Sequence, residues 1–263
     1  MRRLIAFNCN GTRLAATLDE ASGAAGLLIV SGGNEIRIGA HRGMAMLARD
    51  IAAAGYPVFR FDRRGVGDRE GANGGYRSSG PDIAAALAAF RAECPHLQRV
   101  IGFGLCDAAT ALALYPPEGL AGLVLGNPWL VERRNDLPEQ AAVRARYAEK
   151  IVDPRSWFRL FSGQINIGKL MRGLVHIARP RPATGLPQEF AAGLCGFSGP
   201  KTILIAARDA TAIAFAEEWG GRAFDNVRAR PDIAVVRLES ASHSFAGTAD
   251  QAALQSVLLE ALR

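Results

Sequence analysis

Three residues have the types and chain order for nucleophilic catalysis: Cys106, Asp209 and His243. Cys106 lies in GFGLCDAAT (102–110), between the apolar run RVIGFGL and the helix-like stretch DAATALALY. A nucleophile on a sharp strand-to-helix turn needs small residues two before and two after it, because the two backbones come close there. Gly104 and Ala108 meet that need, and a helix N-terminus at the sulfur favours thiolate over thiol. A thiolate still requires a base and a group to orient that base. Asp209 closes KTILIAARD, and His243 follows IAVVRL in the loop SASHSF, which gives the order nucleophile, acid, His. Asp225 and Asp232 are fallback acids, but neither ends a predicted strand. The developing oxyanion needs backbone donors: the N–H of Asp107, and one from Ser31-Gly32-Gly33-Asn34, with Gly33 first and Asn34 next.

Competing readings of the same residues are weaker. A dinucleotide fingerprint needs Gly or Ala where Asp107 stands and an acidic residue ending the next strand, which instead ends in Asn127. Free cysteines are usually buried, and Cys9, Cys94 and Cys195 read that way. The four cysteines form no CxxC pair and, with the four histidines, no zinc spacing. No metal or organic cofactor is expected. The Gly-rich REGANGGYRSSG (69–80) lacks the Lys-Ser/Thr of a phosphate loop and reads as a connection. His41 and Arg42, at the start of a predicted helix, are candidate contacts for an anionic substrate group or simply a solvated first turn. His96 and His176 have no evident partner.

These residues must be held by a scaffold. Asn10-Gly11 between two alternating runs predicts a hairpin. From Gly26 onward, near-continuous apolar strands alternate with helical stretches, a pattern that implies a mostly parallel sheet covered on both faces. The rhythm stops after Asn127 and resumes at Lys201. The net charge is +6, and residues 127–199 carry nine Arg and two Lys against six Asp and Glu, so most of the excess lies there. No basic run is interleaved with aromatics, which disfavours nucleic-acid binding. The apolar runs are too short to span a bilayer, and MRRLIAFNCNGTR reaches Asn8 before any signal-peptide core. A cytoplasmic location is the expectation.

With GGNEIRIGAHR (32–42), RFDRRGVGDREG (60–71), GLCDAA (104–109), LVLGNPW (123–129) and SHSF (242–245) in place, the chain resembles the α/β-hydrolase superfamily. Within it, the sequence is similar to the exosortase A system-associated hydrolase type 1 family. Asn34 and Arg69 depart from that family's general pattern, in which Pro and Ser are expected. The order hairpin, α/β half, insertion, α/β half already has the plan of an α/β-hydrolase fold with a helical cap after the sixth strand: core 1–126, basic cap 127–199, core 200–263. The resemblance implies a Cys-His-Asp hydrolase of the bacterial cytoplasm, encoded beside exopolysaccharide and protein-sorting genes. The expected substrate is a small acyl ester or thioester, with an anionic one suited to the basic cap. An acyltransferase passing the acyl group to an alcohol or amine, and a non-catalytic scaffold, are the alternatives.

Overall fold

The structure, a computed structural model, describes residues 1–68, 71–130 and 185–263. Strand β1 (Arg2–Cys9) turns into β2 (Thr12–Asp19) through Asn10 and Gly11, at φ 50° and 82°. Two left-handed residues in succession are what a two-residue hairpin turn demands. The remaining strands are β3 (Ala25–Val30), β4 (Val58–Phe61), β5 (Arg99–Leu105), β6 (Gly122–Gly126), β7 (Lys201–Ala206) and β8 (Ile233–Leu238). Among the described residues they form one eight-stranded sheet in the order β1-β2-β4-β3-β5-β6-β7-β8. β1 and β2 run antiparallel to their neighbours, and β3 to β8 are parallel.

The parallel strands read as unbroken apolar runs because both faces are covered, and alternate side chains serve opposite cores. Leu28 and Val30 of β3 and Ile203 and Ile205 of β7 enter one core with α2 (Gly80–Glu93), α3 (Asp107–Leu114), α4 (Leu186–Gly196) and α5 (Ala210–Trp219). Leu27, Ile29, Leu204 and Ala206 enter the other, with α1 (Gly43–Ala53) and α6 (Thr248–Leu262). Each fully buried Leu, Ile or Phe contributes about 1.5–3 kcal/mol. This two-sided burial therefore holds the sheet between two apolar cores.

The range 127–199, expected to be an insertion, follows β6 directly. Its residues 131–184, with His176, lie outside the described residues, as does Arg69. Its last part is α4, whose Leu186, Phe190 and Leu194 are buried in the core beneath α3 and α5. Among the described residues no helix is long and apolar enough to cross a membrane.

Strand order reverses direction around β3, which lies between β4 and β5. The loops after β3 and β5 therefore diverge at the C-terminal edge and leave a crevice, the usual ligand site of such sheets.

Candidate active site

β5 ends in that crevice, and the chain reverses at once into α3. Cys106 makes the turn with φ 60° and ψ −123°, a strained conformation for a side chain other than Gly. Hydrogen bonds hold it there. Its N–H donates to Gly126 O (2.9 Å), and its carbonyl accepts from Trp129 N (3.2 Å) and Thr110 N (3.3 Å). Thr110 Oγ1 in turn donates to Trp129 O at 2.5 Å. The small-residue requirement is literal here, because a Cβ on Gly104 would lie 2.6 Å from the Ala108 carbonyl carbon. The sulfur is half-buried, whereas Cys9 and Cys94 are buried.

Asp209 was expected to end a strand. Instead β7 stops at Ala206, and Asp209 caps α5, its Oδ2 accepting from Thr211 N (3.0 Å) and Ala212 N (3.1 Å). Capping is the better solution for a carboxylate at the C-terminal edge, since the helix N-terminus stabilises its charge and fixes its rotamer. The same oxygen lies 3.0 Å from His243 Nδ1. His243 stands on the loop after β8, and the Cys106 side chain is near enough to raise the pKa of its ring. Asp209 first, then Cys106, push the His243 pKa up from 6.5 to about 10, against the opposing effect of burial.

The fallback acids are committed elsewhere. Asp225 pairs with Arg228, and Asp232, just before β8 at the far end of the sheet, pairs with Lys201 and Arg230.

The loop after β3 passes directly over the elbow: a Cβ on Gly32 would meet Leu105 O at 2.5 Å. Gly33, the first choice as oxyanion donor, gives its N–H to the Asp107 carboxylate at 2.5 Å. Its carbonyl accepts from Arg63, a buried guanidinium that also reaches Ser79 Oγ (2.9 Å) and Asp107 Oδ2 (3.5 Å). Gly33 therefore braces the loop against the elbow. Among the described residues, the N–H groups of Asn34 and Asp107 have no hydrogen-bond partner. Farther along the loop, Arg37 donates from its N–H to Asp62 Oδ1 (2.6 Å) and accepts from Arg60 at its carbonyl (2.7 Å).

His41 and Arg42 are exposed at the entry to α1, with φ 50° and 64°, and no hydrogen bond joins them to the triad among the described residues. His96 is exposed between α2 and β5. Two residues that the sequence reading left unassigned help to build the site. Arg63 has a signal, a basic pair one residue beyond the buried strand VFRF. Asn127, fully buried, is a polar residue at the end of an otherwise apolar strand. Among the described residues no group of three His, Cys, Asp or Glu could hold a metal ion.

No protein-family model and no curated protein matches the chain. Solved structures do. An esterase of Pyrococcus furiosus is similar at TM-score 0.66 and 13% identity, covering 99% of this chain and 92% of that one. An α/β-hydrolase from Penicillium gives TM-score 0.62 at 14% identity, covering 100% and 99%. The thioesterase domain from the curacin biosynthetic pathway gives 0.60 at 15%, covering 99% of each chain. At such identities the likeness is one of fold, and the chain has the α/β-hydrolase fold.

Proposed function

We propose that the chain hydrolyses an ester or thioester through an acyl-cysteine on Cys106. The observation that carries this reading is one imidazole 3.0 Å from a helix-capping carboxylate and perturbed by the nearby Cys106 on a strained, half-buried elbow. The esterase and thioesterase character of proteins with the same fold agrees with it.

His243 accepts the Cys106 thiol proton, and Asp209 favours that transfer by stabilising imidazolium. The sulfur attacks the acyl carbonyl, forming a C–S bond. The oxyanion takes hydrogen bonds from the N–H of Asp107 and, with Gly33 engaged, from that of Asn34. As the tetrahedral intermediate collapses, imidazolium protonates the leaving alcohol or thiol and the C–O or C–S bond to it breaks. Neutral His243 then takes a proton from water, whose oxygen attacks the thioester. Collapse of the second intermediate releases the acid and returns the thiol.

A link to exopolysaccharide or exosortase systems rests on the motif resemblance alone. The catalytic reading is tested with short p-nitrophenyl esters and thioesters. Wild type should turn over and show an acyl adduct on Cys106 by mass spectrometry, and Cys106→Ala and His243→Ala should lose turnover. Unchanged turnover in Cys106→Ala would overturn it.

A further inference from the structure

Asn127 follows the last residue of β6 and has 0% exposure. Burying a side-chain amide costs about 1–3 kcal/mol unless its hydrogen bonds are made. Here they are made to two different elements. Nδ2 donates to His243 O at 2.9 Å, and Oδ1 accepts from Ala206 N at 2.8 Å. The backbone N–H of Asn127 donates to Leu204 O (2.8 Å). Its φ of 41° lies in the left-handed region, which Asn tolerates better than most residues.

Other contacts hold the rest of the His loop, and Arg208 N donates to Ser240 O (2.8 Å) among them. Ser242 N donates to Ser240 Oγ (3.0 Å), Ala246 N donates to Ser242 Oγ (2.8 Å), and Ser240 Oγ donates to Asp250 on α6 (2.6 Å). Among the described residues, Asn127 makes the side-chain hydrogen bond to the His243 backbone. It also reaches the acid. Ala206, whose N–H it binds, accepts from Asp209 N at 2.9 Å. One amide thus spans the end of β6, the turn that carries Asp209 and the carbonyl of His243.

We propose that Asn127 is a positioning residue for the catalytic histidine, its amide holding the imidazole in register between Asp209 and Cys106. An amide suits this place because one end must donate and the other accept. A carboxylate of the same shape can still accept from Ala206 but turns a second acceptor toward the His243 carbonyl. The inference rests on the catalytic reading above.

Two variants test it. Asn127→Asp keeps the volume and loses the donor; Asn127→Gly keeps the left-handed backbone and loses both bonds. The readouts are the pH profile of Cys106 alkylation by iodoacetamide and ester turnover, both normalised to the folded fraction from circular dichroism. Misplacing a catalytic group by about 1 Å can cost on the order of 100-fold, so both variants should lose roughly 10–100-fold in turnover. Their alkylation profiles should move toward that of His243→Ala. Phe90→Leu, on the buried face of α2, is the control for destabilisation and should keep the wild-type profile. Folded Asn127 variants with wild-type turnover and a wild-type profile would overturn the inference. If His243→Ala itself alkylates like wild type, the catalytic reading fails first.

Discussion

The sulfur of Cys106 differs from the other buried thiols in what surrounds it. Cys9 donates to Asp82 (3.3 Å), and burial followed by that carboxylate pushes its pKa up to about 11; burial likewise raises that of Cys94. At pH 7.5 iodoacetamide should therefore modify Cys106 well ahead of Cys9 and Cys94, as read by peptide mass spectrometry. Comparable rates at all three would remove the basis for an activated sulfur. Asp209→Asn makes a sharper cut. Asn still caps a helix, so α5 should persist while the charge that holds imidazolium is lost. The expected result is a near-wild-type melting temperature with turnover down by roughly 100- to 10,000-fold. The raised His243 pKa also has a sign in stability. A folded pKa of about 10 against an ordinary 6.5 means that the folded state binds the proton more tightly. That contribution is complete below pH 6.5 and is lost as pH rises through about 10. Wild type should thus lose more melting temperature than His243→Gln between pH 6.5 and 10; parallel curves would contradict the shift. The elbow at Cys106 and the pairing of Asp209 with His243 were legible in the sequence from residue types, chain order and small flanking residues. Arg63 and Asn127 were not, because several of their key partners are backbone atoms of distant loops, such as Gly33 O and His243 O.

Helix and strand had to meet closely to make the elbow, and the sequence shows that need as small residues. On Gly104 a methyl group would meet Ala108 and Ala109 backbone atoms at 2.6–2.8 Å. Gly104→Ala should therefore push α3 away from β5, costing about 1–3 kcal/mol by the usual penalty for overpacking. Gly32→Ala would press on Leu105 O instead, displacing the loop that carries Asn34 while leaving the sulfur and imidazole in place. Iodoacetamide attack needs no oxyanion site, so this variant should alkylate at the wild-type rate yet lose ester turnover. Equal loss in both assays would place the damage at the elbow and count against the loop's role. The strands, their order of appearance and the elbow were readable from apolar runs bounded by Gly and Asn. That Asp209 would lie beyond its strand as a cap was not, since KTILIAARD continues apolar up to the polar pair and carries no punctuation at Ala206. Nor could spacing show that the Gly33 N–H is engaged by Asp107, a contact made between two loops far apart in sequence.

Across the whole molecule, the site is assembled from parts of unequal security. β3 and β5 lie inside the sheet with nearly every side chain buried, whereas β8 is an edge strand, only partly covered along its length. The His243 loop leaves that edge and is tied to α6 through Ser240 and Asp250. α6 itself docks by Leu254, Leu258 and Leu262. Local openings follow the regions with the least buried surface, so Cys106 sits on the firm part of the fold and His243 on the soft part. Truncating Leu258, which is fully buried, should cost about 2–5 kcal/mol, and that loss should fall unevenly. In Leu258→Ala, amides of β8, the 240–246 loop and α6 should exchange with solvent well before those of β3 and β5. Ester turnover should fail on heating below the temperature at which circular dichroism reports global unfolding. Turnover and ellipticity lost together, with uniform exchange across the sheet, would instead mean that α6 is an integral part of one cooperative core and that the histidine is as firmly held as the sulfur it serves.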